Sequence, residues 1–378
     1  MSQINVRNLS NENDDGAPDI VGVSTFSATS YFVPPKGTTE QRPTNPQNGD
    51  LRFNTDTASL EYFRGDTLNW SQIEMTSPDL NGGARGIFVG GQTPSNSDVI
   101  EYVTISTLGN ATDFGNQTTG LSNIATAGSR TRGIIAGGEP ATDLIQYITF
   151  SSTGNATDFG ADLTASTRGA AGASSETRML IAGGYAPAPT RVNTIQYITI
   201  ASTGTAAADF GDLTNDVRLF NAGQQVQSST RAVFGGGSNP SGNGATNHIE
   251  YSTISTLGNT TDFGDMATSG MTQKTVSNST RGVWGGFLTP SVINTIEYVT
   301  TATTGNAADF GDLSETRANL GGSASSPTRG LFRGGQTPTK VNTIDYITIL
   351  TTGNATDFGD STETATEGGG TSNAHGGL

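Results

Sequence analysis

The side chains with recognisable chemistry recur rather than stand alone. Asp-Phe-Gly appears six times, with its aspartates at Asp113, Asp158, Asp209, Asp262, Asp309 and Asp357. In protein kinases this phrase holds magnesium, but no strand-lysine or catalytic-loop phrase accompanies it here, and six copies suit a scaffold. The expected role of Phe is packing between repeat units. Asp is expected to accept hydrogen bonds from a turn, or to pair with a second recurring residue, the arginine at Arg85, Arg132, Arg178, Arg231, Arg281 and Arg329. Asn-x-Thr recurs in one turn, at Asn110, Asn155, Asn259 and Asn354. Glycosylation there needs a secretory route that the sequence does not display, whereas Asn is a natural turn residue. Arg64-Gly65-Asp66 lies between Tyr62-Phe63 and Trp70 and is expected to be a hairpin turn. His248 precedes an expected strand, and His375 falls where the recurring Arg would stand. Neither belongs to a nucleophile triad or a metal-ligand pattern. No spaced calcium loop of the EF-hand type occurs. No catalytic residue, metal site or cofactor is expected, and the chain is expected not to be an enzyme.

Composition narrows the class. The 378 residues include 51 glycines and no cysteine, with a formal net charge of −15. Apolar residues make up 33 %, which glycine raises to about 46 %, inside the globular range. Charged residues are only 14 %, unlike disordered chains, and the glycines lack a collagen period. There is no apolar run long enough to span a membrane and no visible secretory signal. The acidic balance opposes binding to nucleic acid or anionic lipid.

The elements that must position these residues form a repeat. An Arg-small-apolar-apolar-x-Gly-Gly phrase begins at the six arginines, at spacings of 47, 46, 53, 50 and 48 residues. An Ile-[acid or amide]-Tyr phrase carries Tyr102, Tyr147, Tyr197, Tyr251, Tyr298 and Tyr346. Asp-Phe-Gly follows, and then a weaker run of small residues such as Gly169 to Ser174. Each phrase has the alternation or β-branched content of a short strand, and nothing sustains a helical period. Four strands per unit at a period near 50 predict an all-β, six-bladed propeller. The small-residue strand belongs innermost, where blades converge. It is missing before Arg85 but appears at Gly368 to Ser372, so the C-terminal strand is expected to complete the first blade.

These residues resemble kelch repeats over about 76–378, although Asp-Phe-Gly stands where kelch units carry an outer-strand tryptophan. Between the double-glycine and Tyr strands, loops run from six to eleven residues and vary. They are the candidate receptor-facing surface, with Thr93, Asn96, Tyr185, Pro187, Asn239, Asn243, Pro290 and Thr337 as representatives.

The first 75 residues do not repeat. Residues 1–30 read as an arm or linker, and 31–75 as a small three-strand β-meander with Gly, Asn and Asp turns. Arg42 to Gly49, a Phe-Asn-Thr-Asp strand at Phe53 to Asp56, and a closing Asn69-Trp70 resemble a module of tailed-bacteriophage tail fibres and other virion proteins. The Gly-Val-Ser-Thr-Phe run at Gly22 to Phe26 resembles cyanophage structural proteins, in which a glycine-rich Asp-Phe-Gly array often follows.

That resemblance implies a virion structural protein, made in the host cytoplasm and placed on the tail or capsid exterior. It implies partners among other virion proteins and self-association, with a trimer favoured for fibres. Arg42, Pro43, Asn54 and Trp70 are the candidate docking residues. The leading expectation is a tail fibre or similar appendage whose propeller contacts a host-surface glycan or protein. Two alternatives stay open: a purely structural tail or capsid decoration protein, and a propeller glycosidase or depolymerase.

Overall fold

The computed structural model describes residues 34–57, 59–65, 69–72, 84–185, 190–214, 223–238 and 244–378. The chain divides into two compact units, Met1–Thr76 and Ser77–Leu378. Among the described residues all regular structure is β-strand.

The first unit holds one four-stranded sheet. Leu51–Asn54, Ser59–Phe63 and Trp70–Gln72 pair antiparallel in chain order. A fourth strand, Lys36–Gly37, pairs in parallel with the first, which corrects the expected three-strand meander. Two residues are too few to show alternation. This strand is held by position instead: Phe53 N donates to Pro35 O at 2.7 Å and Thr55 N to Gly37 O at 3.0 Å. Asn69 closes the last hairpin at φ 53°, and Asn69 N donates to Gly65 O at 2.8 Å.

The second unit contains six four-stranded antiparallel sheets among the described residues, numbered I to VI here. Sheet I runs Gly369–Ser372, Arg85–Val89, Val99–Thr104, Thr112–Asn116 from inner to outer strand. Its inner strand is thus the last strand of the chain. Sheet II is Ala125–Gly128, Arg132–Ala136, Ile145–Thr149, Thr157–Asp158. Sheet III is Ala171–Ser174, Arg178–Ala182, Thr194–Thr199, Ala208–Asp212. Sheet IV is Val226–Gln227, Arg231–Gly235, Thr246–Thr253, Thr261–Gly270. Sheet V is Lys274–Ser277, Arg281–Gly285, Thr295–Thr300, Ala308–Asp312. Sheet VI is Gly322–Ser325, Arg329–Arg333, Thr343–Thr348, Thr356–Asp360.

Asp-Phe-Gly forms this architecture through a register slip. In sheet I, Ile100 pairs with Gly115 and Glu101 with Asp113, so Phe114 is an extra residue on the outer strand. Sheets III to VI repeat the slip at Ile195, Ile249, Ile296 and Ile344. A bulge re-aims its extra side chain, and Phe114 turns into a buried cluster with Ile87 of its own sheet and Ile135 and Ile148 of sheet II. Phe159, Phe210, Phe263 and Phe310 do the same between successive sheets, and Phe358 packs against Phe88 and Val103 of sheet I.

The inner strands lie side by side and are buried throughout. Hydroxyl bonds join them: Ser174 Oγ donates to Gly128 O at 2.6 Å and Thr126 Oγ1 to Gly370 O at 2.7 Å. A Cβ on Gly172 would sit 2.4 Å from Thr126 O, which accounts for glycine there. The expectation of small residues fails in sheets IV and V, where buried Gln227 and Lys274 occupy the strand. They fit because their polar ends find partners across it: Lys274 Nζ donates to Gly368 O at 2.7 Å, and Gln227 Oε1 accepts from Ser174 N at 2.5 Å.

Candidate functional site

The recurring arginine and aspartate do not pair, which corrects that branch of the sequence expectation, while Asp158 Oδ1 accepts from the turn at Gly160 N at 2.7 Å. All six aspartates are exposed, and no ion pair joins them to the recurring arginines among the described residues. The arginine instead lies over the Tyr ring of the next strand in its own sheet, with Cζ 4.2 Å from the Tyr298 centroid for Arg281 and 5.0 Å from Tyr102 for Arg85. Its Nη1 donates to a backbone carbonyl of the following sheet: Arg85 to Phe150 O at 2.7 Å, Arg178 to Ile254 O at 2.8 Å, Arg329 to Ile105 O at 3.1 Å. The same bonds run from Arg132, Arg231 and Arg281. Position explains the choice. The bulge leaves Asp on the outer, solvent-facing edge, while the second-strand Arg reaches across the sheet junction.

The residue between Ile and Tyr, to which sequence reasoning gave no role, is a second junction device. Glu101, Gln146, Gln196, Glu250, Glu297 and Asp345 are all buried. Each accepts hydrogen bonds from the preceding sheet's segment. Gln146 Oε1 takes Thr118 N at 2.7 Å, Glu250 Oε2 takes Thr214 N at 2.8 Å, and Glu101 Oε2 takes Thr362 N at 2.7 Å. The signal in the sequence was an acid or amide held at the buried phase of an alternating strand.

The Gly-Asn turn is the third. Gly154 N donates to Phe114 O at 2.7 Å and Asn155 Oδ1 accepts from Asn116 N at 3.0 Å. Asn259, Asn306, Asn354 and Asn110 repeat the side-chain bond. The Asn-x-Thr asparagines are therefore turn residues with an interfacial bond. Between sheets II and III the Asn is replaced by Thr205, and the outer strand there shortens to Thr157–Asp158.

The histidines differ from expectation. His248 lies within the strand Thr246–Thr253, with Nδ1 3.6 Å from Asp262 Oδ1. His375 does not take the arginine position. In sheets II, III, IV and VI a serine Oγ accepts the backbone N–H of the recurring arginine, as Ser129 does for Arg132 at 3.1 Å. Asn373 Oδ1 does so for Arg85 at 2.8 Å. His375 is two residues further on and buried. Its Nε2 lies 2.9 Å from Gly128 O, and burial pushes its pKa down to about 4. Burial likewise pushes Lys274 down to about 7.

The variable loops are tied down at their bases. Asn96 Nδ2 donates to Glu139 O at 2.6 Å. Glu139 pairs with Arg168, whose guanidinium lies 5.1 Å from the Tyr185 ring centre. Thr93 bonds within its own turn, Thr93 N to Ser95 O at 2.9 Å. Pro290 is exposed at a hairpin tip, and Thr337 lies in a small hairpin of Gln336–Thr337 with Thr339–Lys340. Lys340 Nζ donates at 2.6 Å to Gln92 O, in the loop that joins Arg85–Val89 to Val99–Thr104 of sheet I. Pro187, Asn239 and Asn243 lie outside the described residues.

In the first unit, Arg42 and Asn54 converge on Glu61, which sequence reasoning missed. Arg42 Nη2 is 2.6 Å from Glu61 Oε2, Arg52 Nη1 is 3.3 Å from Oε1, and Asn54 Nδ2 donates to Oε2 at 3.1 Å. The Arg42 hydrogen bond holds the buried Glu61 carboxyl below its ordinary range. Both guanidinium groups lie 5.9 Å from the Trp70 ring centre. Pro43 and Trp70 border an open cavity of about 290 Å³ with Arg52 and the half-exposed Leu51.

Among the described residues no cluster of three or more His, Asp or Glu side chains is placed to hold a metal ion. No known protein-family model matches the sequence, and no curated protein matches it.

Proposed function

We propose that residues 77–378 are a six-bladed β-propeller with kelch-like repeats, closed by the strand Gly369–Ser372. Support comes from three bond sets that run from each sheet to the next and also link sheets VI and I, through Arg329 to Ile105 O, Thr362 to Glu101 and Gly109 N to Phe358 O. A closed ring leaves no open sheet edge at that junction.

The chain on this reading is a tailed-phage virion protein, a tail fibre or similar appendage. Its first unit docks on the particle and its propeller contacts the host surface. The observation that carries it is the compact cluster of Arg42, Arg52, Asn54 and Trp70 around Glu61. The segment with the virion-module resemblance builds a cross-linked sheet with a cavity beside its aromatic residue. The recurring arginines and the buried acids and amides between Ile and Tyr, by contrast, join neighbouring sheets, which favours a scaffold over a catalyst.

Antibody against the full chain, applied to purified particles from an infected host and viewed by electron microscopy, tests this. Label at tail or fibre tips, together with a block of adsorption by the free protein, is the expected result. Label on the capsid lattice without a block leaves only an assembly role. Particles that carry no label overturn the reading.

A further inference from the structure

The strands of sheet I that lie at 369–372 and 85–89 have no turn between them, because they come from distant parts of the chain. In the other sheets a short turn joins these strands: Ser129-Arg130-Thr131-Arg132, Ser175-Glu176-Thr177-Arg178 and their counterparts. The missing turn leaves a notch at the junction of sheets I and II, a cavity of about 410 Å³. That is the size of sites that take small ligands. It is lined by Arg85, Thr104, Arg130, Thr131, Ser151 and Asn373, around Phe150.

Its chemistry is distinct from the rest of the array. The residue at the Arg130 position is Glu176, Ser229, Ser279 and Pro327 in the other turns, whereas here Arg130 and Arg85, from adjacent sheets, line one cavity. Arg85 is held at two points, with Cζ 5.0 Å from the Tyr102 ring centre and Nη1 on Phe150 O. Arg130 is 45 % exposed and its Nε lies 3.6 Å from Glu176 Oε2, a solvent-exposed pair. Such pairs are weak, so a carboxylate that bonds Arg130 and Arg85 together can displace Glu176. Three hydroxyls and an amide line the remainder, a set suited to a sugar ring.

We propose that this notch binds a carboxylate-bearing monosaccharide of the hexuronate type. The ligand carboxylate sits between Arg85 and Arg130, and its ring hydroxyls meet Thr104, Thr131 and Ser151. The site lies at the end of the sheets opposite the variable loops, and its existence does not depend on the virion reading.

Titration calorimetry of the full chain with sodium glucuronate, glucose and inorganic phosphate tests it. Glucuronate binds, glucose does not, and added salt weakens binding. Arg130→Gln weakens it roughly tenfold or more, the loss expected for a charge-assisted hydrogen bond. Glu176→Gln strengthens it, since the competing carboxylate is gone. A merely structural Arg130–Glu176 pair would not give opposite signs. The proposal is overturned by no saturation with glucuronate up to ~20 mM, far weaker than useful recognition. It is equally overturned by glucose or phosphate binding as tightly as glucuronate, or by a folded Arg130→Gln that binds unchanged.

Discussion

At the scale of single residues, the glycine after Phe shows how backbone sterics select sequence. Gly264 has φ 145°, and a Cβ there would lie 2.5 Å from Gly305 O of the next sheet. Gly160, in the same phrase, has φ 80°, and its Cβ would meet nothing nearer than 3.6 Å. Both substitutions cost left-handed strain of about 1 kcal/mol. Gly264→Ala adds overpacking against backbone, about 1–3 kcal/mol more. Urea denaturation should therefore give Gly264→Ala a clearly lower midpoint than Gly160→Ala at unchanged m-value. Equal midpoints would mean that the bulge relaxes freely and that the close approach does not select glycine.

At the scale of the element, the C-terminal segment is a strand followed by a buried tail. Gly376 fits because a Cβ would lie 2.3 Å from Gln227 O, and Gly377 because one would lie 2.0 Å from Ser174 O. The tail thus touches inner strands of several sheets, and His375 anchors it. His375 is neutral when folded, with its pKa near 4 against an ordinary value near 6.5. Between those values the unfolded chain holds a proton that the folded one does not, so stability rises with pH. The contribution is complete above about pH 6.5 and is lost as pH falls toward 4, on the order of 3 kcal/mol at its limit. His375→Gln should flatten the stability profile across that window, as read from denaturation midpoints at fixed pH steps. A wild-type profile already flat there would show that the imidazole is not buried as described. The sequence displayed this strand, since Gly368 to Ser372 repeats the small-residue phrase. It could not display the tail, because the tail's partners are backbone carbonyls and carry no side-chain signature. The same reason hid the target of the recurring arginine. Its acceptor lies on the next sheet, as Phe150 O does for Arg85, and any residue type supplies a carbonyl.

At the scale of the whole molecule, repetition made the sheets legible and junction geometry did not. Four phrases of alternating or small residues were enough to place four strands per unit, because one unit's ambiguity is resolved by its five copies. The cluster at Glu61 had no such help. It depends on Arg42 and Arg52 arriving from separate segments, and its only trace was an acid at a buried strand phase opposite Arg52. Closure supplies a decisive test of the propeller. In an open stack, loss of the terminal strand removes one interface. In a ring, the strand Gly369–Ser372 holds sheet I to sheets VI and II at once, through Ser372 Oγ to Ser325 O and Gly370 N to Thr126 Oγ1 at 3.1 Å. Removal of residues 361–378 also deletes Thr362, the donor to Glu101, and leaves that buried carboxylate without this partner. The truncated chain should lose its sharp cooperative transition and unfold at much lower denaturant. Addition of a separate peptide spanning 361–378 should restore the transition in a concentration-dependent way, because binding to the folded state alone stabilises it by mass action. A truncated protein with the wild-type midpoint and m-value would exclude a ring closed by this strand.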